Sequence, residues 1–174
     1  MRLFLAILPD PDMRDALCAV QHELRRRGVE GNFTRPENLH LTLAFIGDYP
    51  DPDAVLEALS KLRFEPFSLA LDGLGAFGEL WWAGLRGNEA LDALVRRLRR
   101  ALGDAGIPFD RKSFLPHITL VRKAQLRRGT KLGELPLPAA ETRAARVSLM
   151  LSTRGKSGMI YTELGAVGAR EGRA

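Results

Sequence analysis

One four-residue phrase occurs twice in this chain, as His40-Leu41-Thr42-Leu43 and as His117-Ile118-Thr119-Leu120. Both copies lie in apolar, alternating runs, residues 39–46 and 115–121, which predict short strands. In a strand, residues i and i+2 share a face and sit roughly 6.5–7 Å apart. His40 and Thr42 therefore share one face, as do His117 and Thr119, while Leu41, Leu43, Ile118 and Leu120 turn the other way into a core. A fold that accepts this sequence needs two equivalent strands, each carrying an imidazole and a hydroxyl to a common surface. Seven Thr in 174 residues make the His-x-Thr coincidence in two of three histidines a chance event at about half a percent. A lone strand histidine is usually a packing residue, and the repetition is what argues otherwise. His22 lacks the following Thr, lies in a helical segment and reads as a surface residue.

The chemistry of such a surface is specific. Imidazole titrates near neutrality, so one ring can act as a base while the other acts as an acid. Threonine hydroxyls donate hydrogen bonds suited to a phosphoryl oxygen. Two histidines without an adjacent carboxylate or third histidine make a poor metal shell, so no metal and no cofactor is expected.

Length suits one domain or two small lobes, with 45% hydrophobic residues to form a core. No apolar run approaches the ~20 residues that would cross a membrane. Residues 2–8 predict a first strand rather than a secretory leader. The single Cys18, expected to be buried in a helix, suits the reducing cytoplasm. The net charge of +5 favours polyanionic partners, nucleic acid above all. An arginine-rich coding bias accounts for it equally well, since 21 of the 26 basic residues are Arg.

Along the chain, Asp10-Pro11-Asp12 and Asp51-Pro52-Asp53 start helices, with Asp as cap and Pro in the first turn. Asn88 caps a third helix whose Leu91, Leu94, Val95, Leu98 and Leu102 share a face, leaving Arg96, Arg97, Arg99 and Arg100 on its remaining surface. Residues 67–71 and 80–85 predict strands joined by a glycine-rich turn. Trp81 and Trp82 should then point to opposite faces, with at most one lining any pocket and both engaged in core or inter-lobe packing. Residues 32–38, 103–114 and 124–140 are expected to be loops. Closing strands at 143–151 and 158–164 flank a basic turn at 152–157, and the tail from residue 168 is expected to fray. Strands alternating with helices, and hairpins among them, favour a mixed α/β arrangement of two interleaved lobes.

The segments Arg35-Pro36-Glu37-Asn38-Leu39-His40-Leu41-Thr42-Leu43-Ala44-Phe45-Ile46-Gly47 and Phe114-Leu115-Pro116-His117-Ile118-Thr119-Leu120-Val121-Arg122 resemble the paired signatures of the two-histidine phosphoesterase superfamily. Within it, the chain is similar to the bacterial RNA 2′,3′-cyclic phosphodiesterases, also called 2′-5′ RNA ligases. The opening strand at Arg2-Leu3-Phe4 and the closing pattern of Ser152, Gly158, Tyr161 and Leu164 fit as well. The resemblance implies an α+β fold in one bilobal domain over 1–174, with 169–174 a frayed tail. Two pseudo-symmetric lobes of antiparallel sheet, with outer helices, would surround a central cleft. It implies metal-independent opening of a terminal 2′,3′-cyclic phosphate to a 2′-phosphate, accompanied by a reversible 2′-5′ RNA ligation. His40 would be the general acid and His117 the general base. Thr42, Thr119 and Arg122 would hold the phosphate, and Phe45 would shape the nucleotide site. The partners would be RNA ends or 2′,3′-cyclic nucleotides, met by a monomer in the cytoplasm. Two alternatives stay open on the residues: the same chemistry on small cyclic nucleotides or 2′-5′ oligonucleotides, and a non-catalytic RNA-binding module.

Overall fold

A computed structural model describes residues 1–170. In chain order the elements are β1 (Arg2–Ile7), α1 (Pro11–Arg26), β2 (Val29–Phe33), a 3-10 turn (Pro36–Asn38), β3 (Leu41–Asp48), α2 (Pro52–Leu59), β4 (Phe67–Phe77), β5 (Leu80–Leu85), α3 (Glu89–Asp104), β6 (His117–Leu126), β7 (Glu141–Ala144), β8 (Arg146–Gly155) and β9 (Gly158–Gly168). Each helix begins where its cap dictates. Asp10 accepts from the Met13 amide at 2.9 Å, Asp51 from Ala54 at 3.1 Å and Asn88 from Leu91 at 3.1 Å. The apolar stripes of α1 (Met13, Leu17, Val20, Leu24) and of α3 (Leu91, Leu94, Val95, Leu98, Leu102) are buried throughout. Among the described residues no helix is long and apolar enough to cross a membrane.

The strands form an antiparallel sheet in the order β7-β4-β5-β6-β3-β1-β8-β9, with β2 added to β6. The two strands that carry the repeated phrase meet at its centre, and Leu41 pairs with Ile118, each the residue after its histidine. Outward from that bridge run two matching arms, β3-β1-β8-β9 and β6-β5-β4-β7, which are the two lobes. The helices change sides. α1 follows β1 yet packs on β2, β6 and β7 of the other lobe; α3 follows β5 yet packs on β3 and α2. The Asp10 amide at the start of α1 accordingly donates to Thr142 Oγ1 on β7 at 3.0 Å. The main core lies between sheet and helices, and a smaller cluster of Phe4, Ala6 and Met150, flanked by Phe45 and Tyr161, forms on the opposite face of the first lobe.

Several local expectations are corrected. Residues 32–38 are not one loop: β2 ends at Phe33 and the 3-10 turn follows. The sequence Val-Glu-Gly-Asn-Phe lacks apolar alternation because β2 is an added edge strand, buried at Val29 and exposed through its middle. The third helix runs to Asp104, past the residue 103 at which a loop was expected. The closing strands extend to Gly155 and from Gly158, so the basic turn shrinks to residues 156 and 157, with Gly158 at φ +127 making the tight return. Cys18 is half-buried rather than buried. At the tail, the Ala169 amide donates to the Ala145 carbonyl at 2.8 Å and Arg170 to Phe64 at 2.7 Å, so the chain is tied down through 170. The remainder of the expected frayed tail, 171–174, lies outside the described residues.

Candidate active site

The site is built on the Leu41–Ile118 bridge. Continuing that antiparallel register by one residue each way sets His40 opposite Thr119 and Thr42 opposite His117. The two imidazole-bearing positions are then diagonal neighbours, about 7–8 Å apart. Sequence separation of 77 residues is thus closed by one backbone pairing, and the charge of Arg122 acts on His40.

Each ring is held the same way at its rear. His40 Nδ1–H donates to the Asn38 carbonyl at 2.7 Å, and His117 Nδ1–H donates to the Leu115 carbonyl at 2.6 Å. A carbonyl can only accept, so the neutral rings carry their proton on Nδ1 and leave Nε2 bare. The front differs. Thr42 Oγ1 lies 2.9 Å from His40 Nε2, whereas His117 Nε2 has no hydrogen-bond partner among the described residues. Burial pushes His40 below the usual imidazole value; the bond to Asn38 works against this, and the positive charge of Arg122 adds to it.

Each ring is also clasped by two aromatic side chains. Phe4 and Tyr161 have ring centroids 4.9 and 5.2 Å from that of His40; Phe77 and Trp82 stand 5.3 and 5.7 Å from that of His117. None of these four was legible as a site residue, because each belongs to a strand remote in sequence from its histidine. Trp82, expected in core or inter-lobe packing, lies over Gly75, where an added Cβ would collide with the indole. A register shift between Trp81 and Trp82 breaks the strand alternation, so both line one apolar cavity of about 310 Å³, contrary to the expected one-per-pocket rule.

Of the other residues singled out in the sequence, Phe45 shares a cavity of about 500 Å³ with Thr42 and His117, walled also by Phe77 and Phe114. Arg122 sits beside a left-handed residue, Lys123 at φ 54. Alternation fails there: Val121 and Ala124 are buried and the two cations between them are exposed. The Arg122 guanidinium has no carboxylate partner among the described residues. Nor do those residues contain any group of three or more His, Cys, Asp and Glu side chains positioned to hold a metal. His22 is exposed on α1, away from the phrase.

Comparison with known proteins adds to this geometry. A family model described as the 2′-5′ RNA ligase superfamily matches residues 13–156. An RNA 2′,3′-cyclic phosphodiesterase of Methanothermobacter thermautotrophicus is 30% identical over 94% of this chain and 96% of its own length. One of Thermotoga maritima is 31% identical over 94% and 93%. Another, of Geobacillus stearothermophilus, is 40% identical over 61% of this chain, a match that spans 37% of that relative. Among solved structures, a Thermus thermophilus protein superposes with a TM-score of 0.79 at 32% identity, covering 97% of both chains. E. coli LigT complexed with 3′-AMP gives 0.80 at 25% identity over the same shares.

Proposed function

The chain belongs to the 2′-5′ RNA ligase superfamily, and we propose that it hydrolyses the terminal 2′,3′-cyclic phosphate of RNA to a 2′-phosphomonoester, using two imidazoles and no obligatory metal. The observation that supports this reading is the Leu41–Ile118 bridge, which puts the two copies of one phrase on adjacent antiparallel strands with their histidines at diagonal positions. A five-membered cyclic diester is strained, so its opening needs an in-line water, a base and an acid. His117, with its bare Nε2, takes the proton from water as the oxygen attacks phosphorus. His40 donates its proton to the departing 3′ oxygen. Thr42 and Thr119 donate to the phosphoryl oxygens, and Arg122 offsets their charge. Each proton transfer is worth about 10²–10⁴-fold.

Burial in the empty cleft works against a protonated His40. The anionic diester reverses that balance: a negative charge placed against Nε2 favours imidazolium and draws the Thr42 hydroxyl from the ring to the phosphate. The acid is therefore charged when substrate arrives rather than before. With a 5′-hydroxyl in place of water, His117 takes that hydroxyl's proton as its oxygen attacks the cyclic phosphorus, the P–O3′ bond breaks and His40 protonates O3′, which leaves a 2′-5′ linkage; cleavage of that linkage runs the same step backwards with the two groups exchanging roles. The chain acts as a monomer in the cytoplasm, where its free Cys18 stays reduced.

The test is product identification from a defined RNA bearing a cyclic end, run in excess chelator. A 2′-phosphate at full rate, lost with His117→Ala, supports the reading. A 3′-phosphate product, or a rate abolished by EDTA, overturns it. Faster turnover of small cyclic nucleotides would move the substrate, and RNA binding without turnover, unaffected by loss of either histidine, would make the chain a binding module.

A further inference from the structure

We propose that Gln21, Gly31 and Lys123 are positioning residues for Arg122: together they hold two successive bulges in β6 that bring Arg122 round to the face of His117 and Thr119. This rests on the function proposed above, in which Arg122 offsets the charge of the phosphate.

Strict alternation from His117 would send Arg122, five residues on, to the core side with Ile118 and Leu120. β6 avoids this. One step along β5, from Trp82 to Trp81, spans two along β6, from Thr119 to Val121. The inserted residue is Leu120, and both it and Val121 are buried. Arg122 then falls on the open side, where its charge reaches His40. A second bulge follows at once: two steps along β2, from Glu30 to Asn32, span three along β6, from Gln125 to Arg122. Its turning point is Lys123, at φ 54 the one residue other than glycine in the left-handed region among those described. That conformation disfavours any side chain with a Cβ and persists only where the surroundings hold it.

The surroundings are specific. Gly31 lies against the bend, and a Cβ there would fall 2.8 Å from the Arg122 carbonyl oxygen, 2.8 Å from Val121 Cγ2 and 3.0 Å from the Lys123 carbonyl oxygen. Only glycine lets β2 come this close. Gln21 is buried on the inner face of α1, which is otherwise Met13, Leu17, Val20 and Leu24. A further apolar side chain would serve packing there, whereas a buried amide needs partners for its N–H groups. Gln21 Nε2 donates to the Leu120 carbonyl at 3.0 Å and to the Thr34 carbonyl at 2.7 Å. The Thr34 amide donates to the same Leu120 carbonyl at 2.9 Å. Past the bend, the Ala124 amide donates to the Glu79 carbonyl at 2.8 Å. The first bulge is thus pinned from α1, and the second is backed by β2 and tied to the turn between β4 and β5.

Gln21→Met keeps the length of the side chain and removes both donors. Assayed in the full chain on an RNA with a 2′,3′-cyclic end, below its melting temperature, it should lose about tenfold in kcat/KM. In an Arg122→Ala background the same substitution should change kcat/KM by less than about twofold, because the residue it positions is gone. Gly31→Ala should follow it in both backgrounds. A purely structural role predicts equal losses with and without Arg122; that result, or full activity of Gln21→Met, overturns the proposal. Lys123 supplies a check that does not depend on how well Gln21→Met folds. Lys123→Val, whose branched side chain resists the left-handed backbone, should lose about tenfold, and Lys123→Gly, which keeps the bend without the ammonium, should recover most of that loss. Equal losses in these two variants would trace the effect to the ammonium and overturn the role of the bend. Arg122→Ala at the wild-type rate removes Arg122 from the reaction, and its positioning with it, while leaving the two histidines in place. Absence of turnover by the wild type overturns the catalytic reading itself.

Discussion

At the scale of residues, the site turns on the unequal surroundings of two like rings. His40 is desolvated and faces the positive charge of Arg122, so its imidazole in the free protein should titrate below 6.5 by NMR, and rise when a phosphate monoester is added. A midpoint at or above 6.5 without ligand would contradict the burial argument. The same shift bears on stability. The unfolded chain takes up the proton first as the pH falls, so the stabilisation is complete above about 6.5 and is lost as the pH drops through the lower folded value. His40→Gln should flatten that part of a melting-temperature profile. Either His40→Ala or His117→Ala should lower kcat by at least about 10²-fold with little change in melting temperature, since both rings border the cleft rather than the main core. The rings and hydroxyls were legible in the sequence because strand alternation assigns faces. Phe4, Tyr161, Phe77 and Trp82 were not, because which strand lies beside which is decided by pairing and not by local pattern.

At the scale of elements, His40 is held from a distance. The β8–β9 hairpin reaches it through Asn38, whose side-chain amide donates to the Met159 carbonyl at 2.9 Å while its own carbonyl accepts from the ring. Arg35 Nη2 adds a second tie, donating to the Ser157 carbonyl at 2.9 Å. Asn38→Asp keeps the size and removes the donor. It should cost about 1–3 kcal/mol in urea unfolding and raise the His40 titration midpoint, because a carboxylate then stands nearby. An unchanged midpoint would detach the hairpin from the histidine. The other ring depends on β4 and β5. Gly75→Ala would press a methyl group into the Trp82 indole, so a loss of about 1–3 kcal/mol and a shifted Trp fluorescence maximum are expected. The helices and principal strands followed from caps and periodicity. The register shift at Trp81 and Trp82 and the added strand β2 did not, because a bulge inserts one residue without altering composition, and an exposed edge strand carries no apolar signature.

At the scale of the whole molecule, the crossed helices decide how the chain comes apart. Each lobe is covered by a helix that follows a strand of the other, so neither can lose its packing alone. Both Trp residues lie on β5, in one lobe. Their fluorescence and the far-ultraviolet dichroism of the whole chain should therefore melt in one coincident transition; separate midpoints would mean that the lobes unfold independently. The two-fold arrangement itself was legible from the repeated phrase, but the exchange of helices was not, since the sequence does not say onto which arm a helix folds back. The paired arms meet along β3 and β6 at a single rung, Leu41 with Ile118. That one pairing is also what aligns the site: slipping β3 by a single residue against β6 would turn His40 and Thr42 to the opposite face of the sheet from His117 and Thr119, so the rung that joins the halves is at once the gauge of their alignment.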